Sequence, residues 1–566
     1  MNIPSFLLES FLNPSWKKYL LFILLPIGVY YQTIWYPFSP LDDNGLIVSR
    51  IEWLRDISSL RPILFEPMTV GPTSGYYRPV LFLTFMADAL IGNGNPAIFH
   101  LTNILLHITA TILVFLFFRI LLQSEKAALI LSLLFALHPL NIPAVAWIPG
   151  RNDILLAITC LGAFISFLKY IQTNKQAWLV LHILFLLITF ATKETGIMLF
   201  PLLFLYYILM IGGKNKRNTI LLTLIWVIIP IGWAFLRSRI VHDYPQIGHI
   251  QPVMLFVKTC CVLAINAGKI FLPLRQELLP VINYRTLITG CLVILAITLV
   301  VKKSNIMNRK LFAFGLLWFL IFSLLPIGWG FATGISEQYE HRLYIPLIGI
   351  LLSGAQIRLK NADIAKNKRL WLCILVLVLV IYSAKILYRC RIYSTPENFV
   401  NAAVMESPGF NKAYGIRAEL FVENSMWKEA AEDYTTALKL NPGSILFLPG
   451  RGFCYLKMGL FNLAIEDFTK VLESDPDHAY ALQGRAGAYY HLRYYEKAIA
   501  DFDRLIDIAP ESMEAYHGRG VVYFDMGKYE PALADFKKVL DRNGKVESSY
   551  LDKIYEKTGK KSEYLN

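Results

Sequence analysis

No Cys-x-x-Cys pair occurs anywhere in the 566 residues. The seven cysteines, Cys160, Cys260, Cys261, Cys291, Cys373, Cys390 and Cys454, lie mostly inside apolar stretches, which argues against a disulfide framework or a zinc site. Charge is also scarce: 17% of residues are Asp, Glu, Lys or Arg, against 55% hydrophobic and a mean hydropathy of +0.47. That exceeds what an ordinary soluble core needs. Short alternating segments, the mark of a membrane β-barrel, are missing. No Asn-x-Ser/Thr sequon with an allowed middle residue is present, so nothing hints at a glycoprotein. No basic surface interleaved with aromatics stands out, and nucleic acid is left out as a partner.

What is present is a series of apolar runs approaching twenty residues, the length that crosses about 30 Å of hydrocarbon. The fold class is therefore all-α: a polytopic helical membrane bundle. Net charge is +14 but uneven. From Pro408 onward 21 Lys/Arg face 24 Asp/Glu, so the basic excess lies in the membrane part, where it suggests anionic lipid or phosphate. Lys17 and Lys18 precede the first apolar run with no small-residue cleavage site after it, and this start reads as a retained first span.

Placing the Lys/Arg-rich short loops on the cytoplasmic side predicts about eleven spans, near 18–38, 98–119, 127–146, 152–171, 177–192, 195–212, 219–238, 285–301, 311–328, 343–358 and 370–389. The N-terminus is then inside and the C-terminus outside. The stretch from Met254, with Lys258, Asn266 and Lys269, does not fit that parity and reads as an outer interfacial or re-entrant helix. A long outer loop runs from Ser39 to about Pro96, with amphipathic pieces expected to rest on the membrane surface.

Prolines at Pro408, Pro442, Pro476 and Pro510 recur every 34 residues, the tetratricopeptide period. Small residues (Ala418, Gly452, Ala486, Gly520) and aromatics (Phe421, Tyr455, Tyr489, Tyr523) recur in step. The expected division is 1–392 for the membrane domain and 393–566 for a repeat superhelix, with units near 411–442, 445–476, 479–510 and 513–544 and then a capping helix.

Ionisable residues at membrane depth are functional by default, and several clusters share the outer edge. SPLDDNGLI places Asp42 and Asp43 just past the first span. DNG is a turn former, and a solvated loop start is one reading. The other is a general base whose pKa lipid burial raises and nearby arginines lower. HPLNIPAVAWIPGRND offers His138, Arg151 and Asp153 either as site residues or as the polar caps of a proline-broken turn. KETGI offers Lys193, paired with Glu194 or free to meet phosphate. EHRLYIP offers Glu340, His341 and Arg342, the arginine either snorkelling to head groups or gripping a lipid phosphate bidentately. Arg78, in YYRPV, is a further lining candidate. His100, Asn103 and His107 share a helix face, more suited to interhelical hydrogen bonds than to a metal.

The segments LDDNG, YYRPV, FHLTNILLH, ALHPLNIPAVAWIPGRNDIL, KETGI and EHRLYIP, in this order and followed by tetratricopeptide repeats, resemble the transmembrane and tetratricopeptide repeat-containing protein O-mannosyltransferases, which act on cadherins in animals. The resemblance implies a GT-C glycosyltransferase that uses a polyprenyl- or dolichyl-phosphate sugar, mannose in this family, as donor substrate. It implies no other cofactor and leaves a divalent metal open, with no metal ligand assigned. Asp42 or Asp43 would be the base of an inverting displacement. Arg151, Lys193 and Arg342 would bind the donor phosphate, with Arg78, His138, Asp153, Glu194, Glu340 and His341 lining the site. The implied partners are membrane lipid, the lipid-linked sugar and a protein acceptor held by the repeats. Pro143 stands where the family usually has Glu, and four units are fewer than animal members carry. The short array and absent sequon favour a prokaryotic inner membrane with the repeats extracytoplasmic; a eukaryotic chain would sit in the endoplasmic reticulum membrane. Two rivals stand beside this reading: a GT-C enzyme with a glycan or lipid acceptor, and a non-enzymatic membrane scaffold.

Overall fold

A computed structural model describes residues 16–40, 42–69, 75–212, 216–241, 251–273, 276–278, 284–332, 340–359 and 368–559. Parts of the basic loops near 214–217 and 358–369, and the end of the tail, lie outside the described residues. The chain divides into two compact units, Met1–Ser407 and Pro408–Asn566. The division falls after the helix Pro396–Glu406 rather than before it. The reason is a bidentate tie: Arg389 donates to both carboxylate oxygens of Glu406 at 2.7 and 3.0 Å, and the Leu278 N–H donates to Glu406 at 2.8 Å.

The first unit is a helical bundle and the chain is a multi-pass membrane protein. Seven described helices are long and apolar enough to cross a membrane, or eight with one bent pair taken as a span. About eleven were expected. Two further apolar helices, Tyr19–Trp35 and Gln176–Thr192, are shorter and lie at other expected spans, and Tyr344–Gly354 stops after 11 residues and turns into a strand. The bent pair joins Glu125–Ala136 to Pro139–Ala146 at 50°. The break falls at His138-Pro139, where His138 Nδ1 accepts the Leu140 N–H and caps the next turn, as proline requires of a helix it cannot continue. Pro252–Phe271, expected as an interfacial or re-entrant helix, has the length and apolarity of a span. It packs closely on Tyr284–Lys302: a Cβ at Gly290 would lie 2.1 Å from the Ala264 carbonyl oxygen, so only glycine permits that approach.

The outer loop is packed on the helical bundle. It carries its own core, in which Leu46, Ile47, Leu54, Ile63, Phe82 and Phe85 are buried with Phe99, Ile148 and Leu155 of the bundle. Burial of that many apolar side chains fixes the loop on the helices.

The second unit is four helix pairs and a last helix, Ser548–Thr558. Buried Ala430, Ala464, Ala498 and Ala532 sit beside Phe468, Phe502 and Phe536, the repeat logic in which each unit covers its neighbour. A ladder of ion pairs follows the same period: Arg417–Asp433, Arg451–Asp467, Arg485–Asp501 and Arg519–Asp535, at 2.6 to 2.8 Å. The arginines also reach back one unit, Arg451 to Thr435, Arg485 to Thr469 and Arg519 to Asp503. Arg485→Ala strands the buried Asp501 and cuts one inter-unit tie; the guanidinium is partly exposed, so the expected cost is about 2 kcal/mol. Hydrogen exchange on the full chain checks it, with faster exchange expected in the units around Arg485.

Candidate functional site

Asp43 and Asp42 part company in the structure. The turn Asp42–Leu46 exposes Asp42 and buries Asp43 to 1% exposure. The Ser39 N–H donates to Asp43 at 2.7 Å. Burial pushes the Asp43 carboxyl up to about 8; the Ser39 N–H holds it down, Asp42 raises it further, and the Trp147 indole N–H facing it lowers it.

Trp147 is the link to the rest. Its ring lies 5.2 Å from that of His341, whose Nε2 is 3.8 Å from Asp153. Lys193 Nζ donates to both Asp153 oxygens at 2.8 and 2.9 Å. Burial first, then the cations Lys193, Arg342 and Arg78, hold His341 well below its ordinary pKa, so it is neutral. Arg78 Nε and an Nη donate to Glu194 at 3.0 to 3.4 Å, and Arg237 stands 3.7 Å from the same carboxylate. Arg342 is half-buried and acts electrostatically on both Lys193 and His341. Four cations thus surround two paired carboxylates near Asp43, whose carboxyl burial pushes up, an arrangement that favours an anion.

The chain is built to make this meeting. HPLNIPAVAWIPGRND folds back on itself through two short turns, Pro139–Asn141 and Ile148–Gly150. A Cβ at Gly150 would lie 2.3 Å from the Pro143 carbonyl oxygen, so glycine closes the turn that sets Trp147 and Asp153. Lys193 sits where Gln176–Thr192 gives way to a 3-10 turn at Glu194–Met198. His341 and Arg342 sit on a similar turn, Glu340–Leu343.

Asp43, Arg78, Asp153, Lys193, Glu194, His341 and Arg342 are therefore brought together. Lys193 pairs with Asp153, however, and not with its neighbour Glu194. Three candidates lie elsewhere. Arg151, at 0% exposure, is fully engaged: it pairs with Asp88 at 2.6 Å and donates to Asn103, Thr84 and the Phe99 carbonyl. His138 uses both ring nitrogens, one on Leu140 and one on the Ile270 carbonyl. Glu340 accepts the Glu277 N–H and pairs with Lys269 at 3.1 Å, turned away into a second ionic cluster. His107 bonds Tyr344 and the Ala136 carbonyl, and Asn103 the Val145 carbonyl, so that helix face makes interhelical hydrogen bonds. Among the described residues no group of three or more His, Cys, Asp or Glu is placed to hold a metal ion. Sequence reasoning missed Trp147 and Arg237. Trp147 stands inside the quoted motif; Arg237 ends an apolar helix and looks like a boundary charge.

A multi-pass helical bundle with a half-enclosed cationic cluster, followed by tetratricopeptide repeats, is the class these features define. Tetratricopeptide-repeat family models match residues 455–513 and 514–545. The chain resembles the protein O-mannosyl-transferases. It is 26% identical to one from Caenorhabditis elegans over 432 residues, 70% of this chain and 56% of that protein. It is 36% identical to the Drosophila melanogaster protein O-mannosyl-transferase Tmtc1 over 131 residues, 23% of this chain and 15% of that one. A human protein O-mannosyl-transferase, TMTC4, is 33% identical over 160 residues, 25% and 22% of the two chains. The matches thus span little more than half of the nematode relative and under a quarter of the other two. Among solved structures, MamA from Desulfovibrio magneticus is 20% identical, covering 27% of this chain and 89% of its own, with a TM-score of 0.26.

Proposed function

We propose that the chain is a glycosyltransferase that moves mannose from a polyprenyl-phosphate donor to a Ser/Thr hydroxyl of a protein on the extracytoplasmic side of a prokaryotic inner membrane. The observation that carries this reading is the buried Asp43, joined through Trp147, His341 and Asp153 to a cationic cluster. The names of the relatives support the sugar and the acceptor.

In the proposed step the acceptor oxygen attacks the anomeric carbon, the bond from that carbon to the phosphate oxygen breaks, and the hydroxyl proton passes to ionised Asp43. The lipid phosphate leaves with one more negative charge than it held as a diester. Arg78, Lys193, Arg237 and Arg342 stand where that charge develops, the placement that lowers a barrier most effectively. Arg151 has no part in it, because it is closed off from solvent and paired with the buried Asp88. Trp147 and neutral His341 stand between base and cations; burial keeps the Asp43 carboxyl raised, and the Trp147 indole opposes that shift.

The test is transfer of labelled mannose from a polyprenyl-phosphate donor by the purified chain. Arg342→Gln is expected to lower kcat by about a hundredfold, the typical loss on removing one group that stabilises transition-state charge, while Tm stays near wild type because the side chain is half-exposed. An unchanged kcat removes Arg342 from the phosphate site. Truncation from Pro408 separates acceptors: protein acceptors are lost with the repeats, glycolipid acceptors are not.

A further inference from the structure

The two basic loops that read as separate in the sequence are joined by a small ribbon. Ser304–Ile306 pairs antiparallel with Ile357–Leu359, placing Asn305 opposite Arg358, and the Met307 N–H donates to the Gln356 carbonyl at 2.9 Å. The helix Tyr344–Gly354 runs from the turn Glu340–Leu343 to this ribbon, so the ribbon lies at the other end of that helix from the cluster around Asp153 and Lys193. Lys302, Lys303, Arg309, Lys310 and Arg358 are all exposed there. None is paired with a carboxylate among the described residues, and no Asp or Glu occurs in 302–310 or 354–359.

Two further features say what would cover such a patch. Arg309 and Lys310 occupy the first turn of the helix Arg309–Ala332, where the helix dipole already favours an anion and disfavours cations. The helix Tyr284–Lys302, largely uncovered by the rest of the bundle, carries an exposed stripe at Leu292, Leu295 and Leu299. These positions share one helix face, and the next positions on that face are Lys302 and Lys303. An apolar stripe ending in two cations matches a lipid whose tails lie along the helix and whose charged head group lies at its end.

We propose that the ribbon is a binding site for an anionic phospholipid head group. Its phosphate is held between Lys302, Lys303 and Arg358, and its acyl chains lie along Leu292, Leu295 and Leu299. The attraction adds over several cations and acts within a Debye length of the membrane surface. The site is separate from the cluster assigned to sugar transfer and does not depend on that assignment.

Native mass spectrometry of the full chain in detergent, with phosphatidylglycerol or phosphatidylcholine added, tests it. At low salt the wild type is expected to retain phosphatidylglycerol at least about tenfold better than phosphatidylcholine, as several basic contacts imply. The triple variant Lys302→Gln, Lys303→Gln, Arg358→Gln is expected to lose that preference with an unchanged Tm, since all three side chains are exposed. Should the variant fold poorly, wild type alone decides: the preference is expected to collapse at about 0.5 M salt, where screening is short-ranged, and to survive millimolar inorganic phosphate. Equal retention of the two lipids, a triple variant that keeps the preference, or displacement by inorganic phosphate overturns the proposal; the last would mark a free-anion site.

Discussion

Asp43→Asn is expected to abolish sugar transfer and to make the protein more stable at neutral pH. The loss follows from the chemistry: the amide cannot take the acceptor proton, and removal of a general base costs about 10²- to 10⁴-fold. Asp42→Asn, on an exposed side chain, is expected to change turnover by less than about threefold, since surface charges act weakly. The gain in stability follows from linkage. The folded carboxyl titrates near 8 and the unfolded one near 3.8, so below pH 3.8 both states are protonated and the group costs nothing. Between those values folding must take up a proton, and stability falls as pH rises; above 8 the cost is constant. The amide never ionises, so the variant escapes a penalty on the order of a few kcal/mol. Its Tm should exceed wild type at pH 8 and match it at pH 4. The same carboxyl sets the pH profile of the wild type: the ionised base becomes scarcer about tenfold per unit below 8, so turnover rises with pH and levels off above 8. A variant that turns over normally, or a wild-type rate that falls between pH 6 and 8, takes Asp43 out of the base role.

Asp88→Ala is expected to remove most folded protein. Among the described residues Asp88 is the one carboxylate on Arg151, which has no exposure to solvent. Truncating one member of a buried pair leaves the other charge unmatched, at about 3–5 kcal/mol, a large share of a domain's net stability. Asp88→Leu combined with Arg151→Met removes both charges and is expected to recover much of the loss, because apolar replacements of buried pairs are often neutral or better. Size-exclusion behaviour and thermal unfolding in detergent check both. The pattern also tests the structural role of Arg151: if it bound donor phosphate, the double replacement would fold yet raise KM steeply, whereas a purely structural arginine leaves KM within a few-fold of wild type.

The repeats were legible in the sequence because each unit buries the same positions against the next, so Ala430, Ala464, Ala498 and Ala532 recur at one period. The apolar spans were legible for a similar local reason. What a sequence does not carry is which neighbouring side chain the tertiary fold covers. Asp42 and Asp43 are equivalent in composition and differ only because the loop core of Leu46, Leu54 and Phe82 turns one inward. Arg151 stands in the same motif as Asp153, yet one is closed off by Asp88 from another helix and the other meets Lys193. The Arg–Asp ladder had a period as plain as the alanines, but its pairing across 16 residues became visible only with the helix pairs in place.

The central claim, a lipid-linked sugar transferred at Asp43, meets its most direct test in donor choice. Purified full-length protein in lipid nanodiscs is given labelled mannose either on polyprenyl phosphate or on a nucleotide, together with a Ser/Thr-containing protein acceptor. Label passing to acceptor hydroxyls from the polyprenyl donor alone, and not in Asp43→Asn, is the predicted result. Transfer from the nucleotide donor, or equal transfer by the variant, contradicts it.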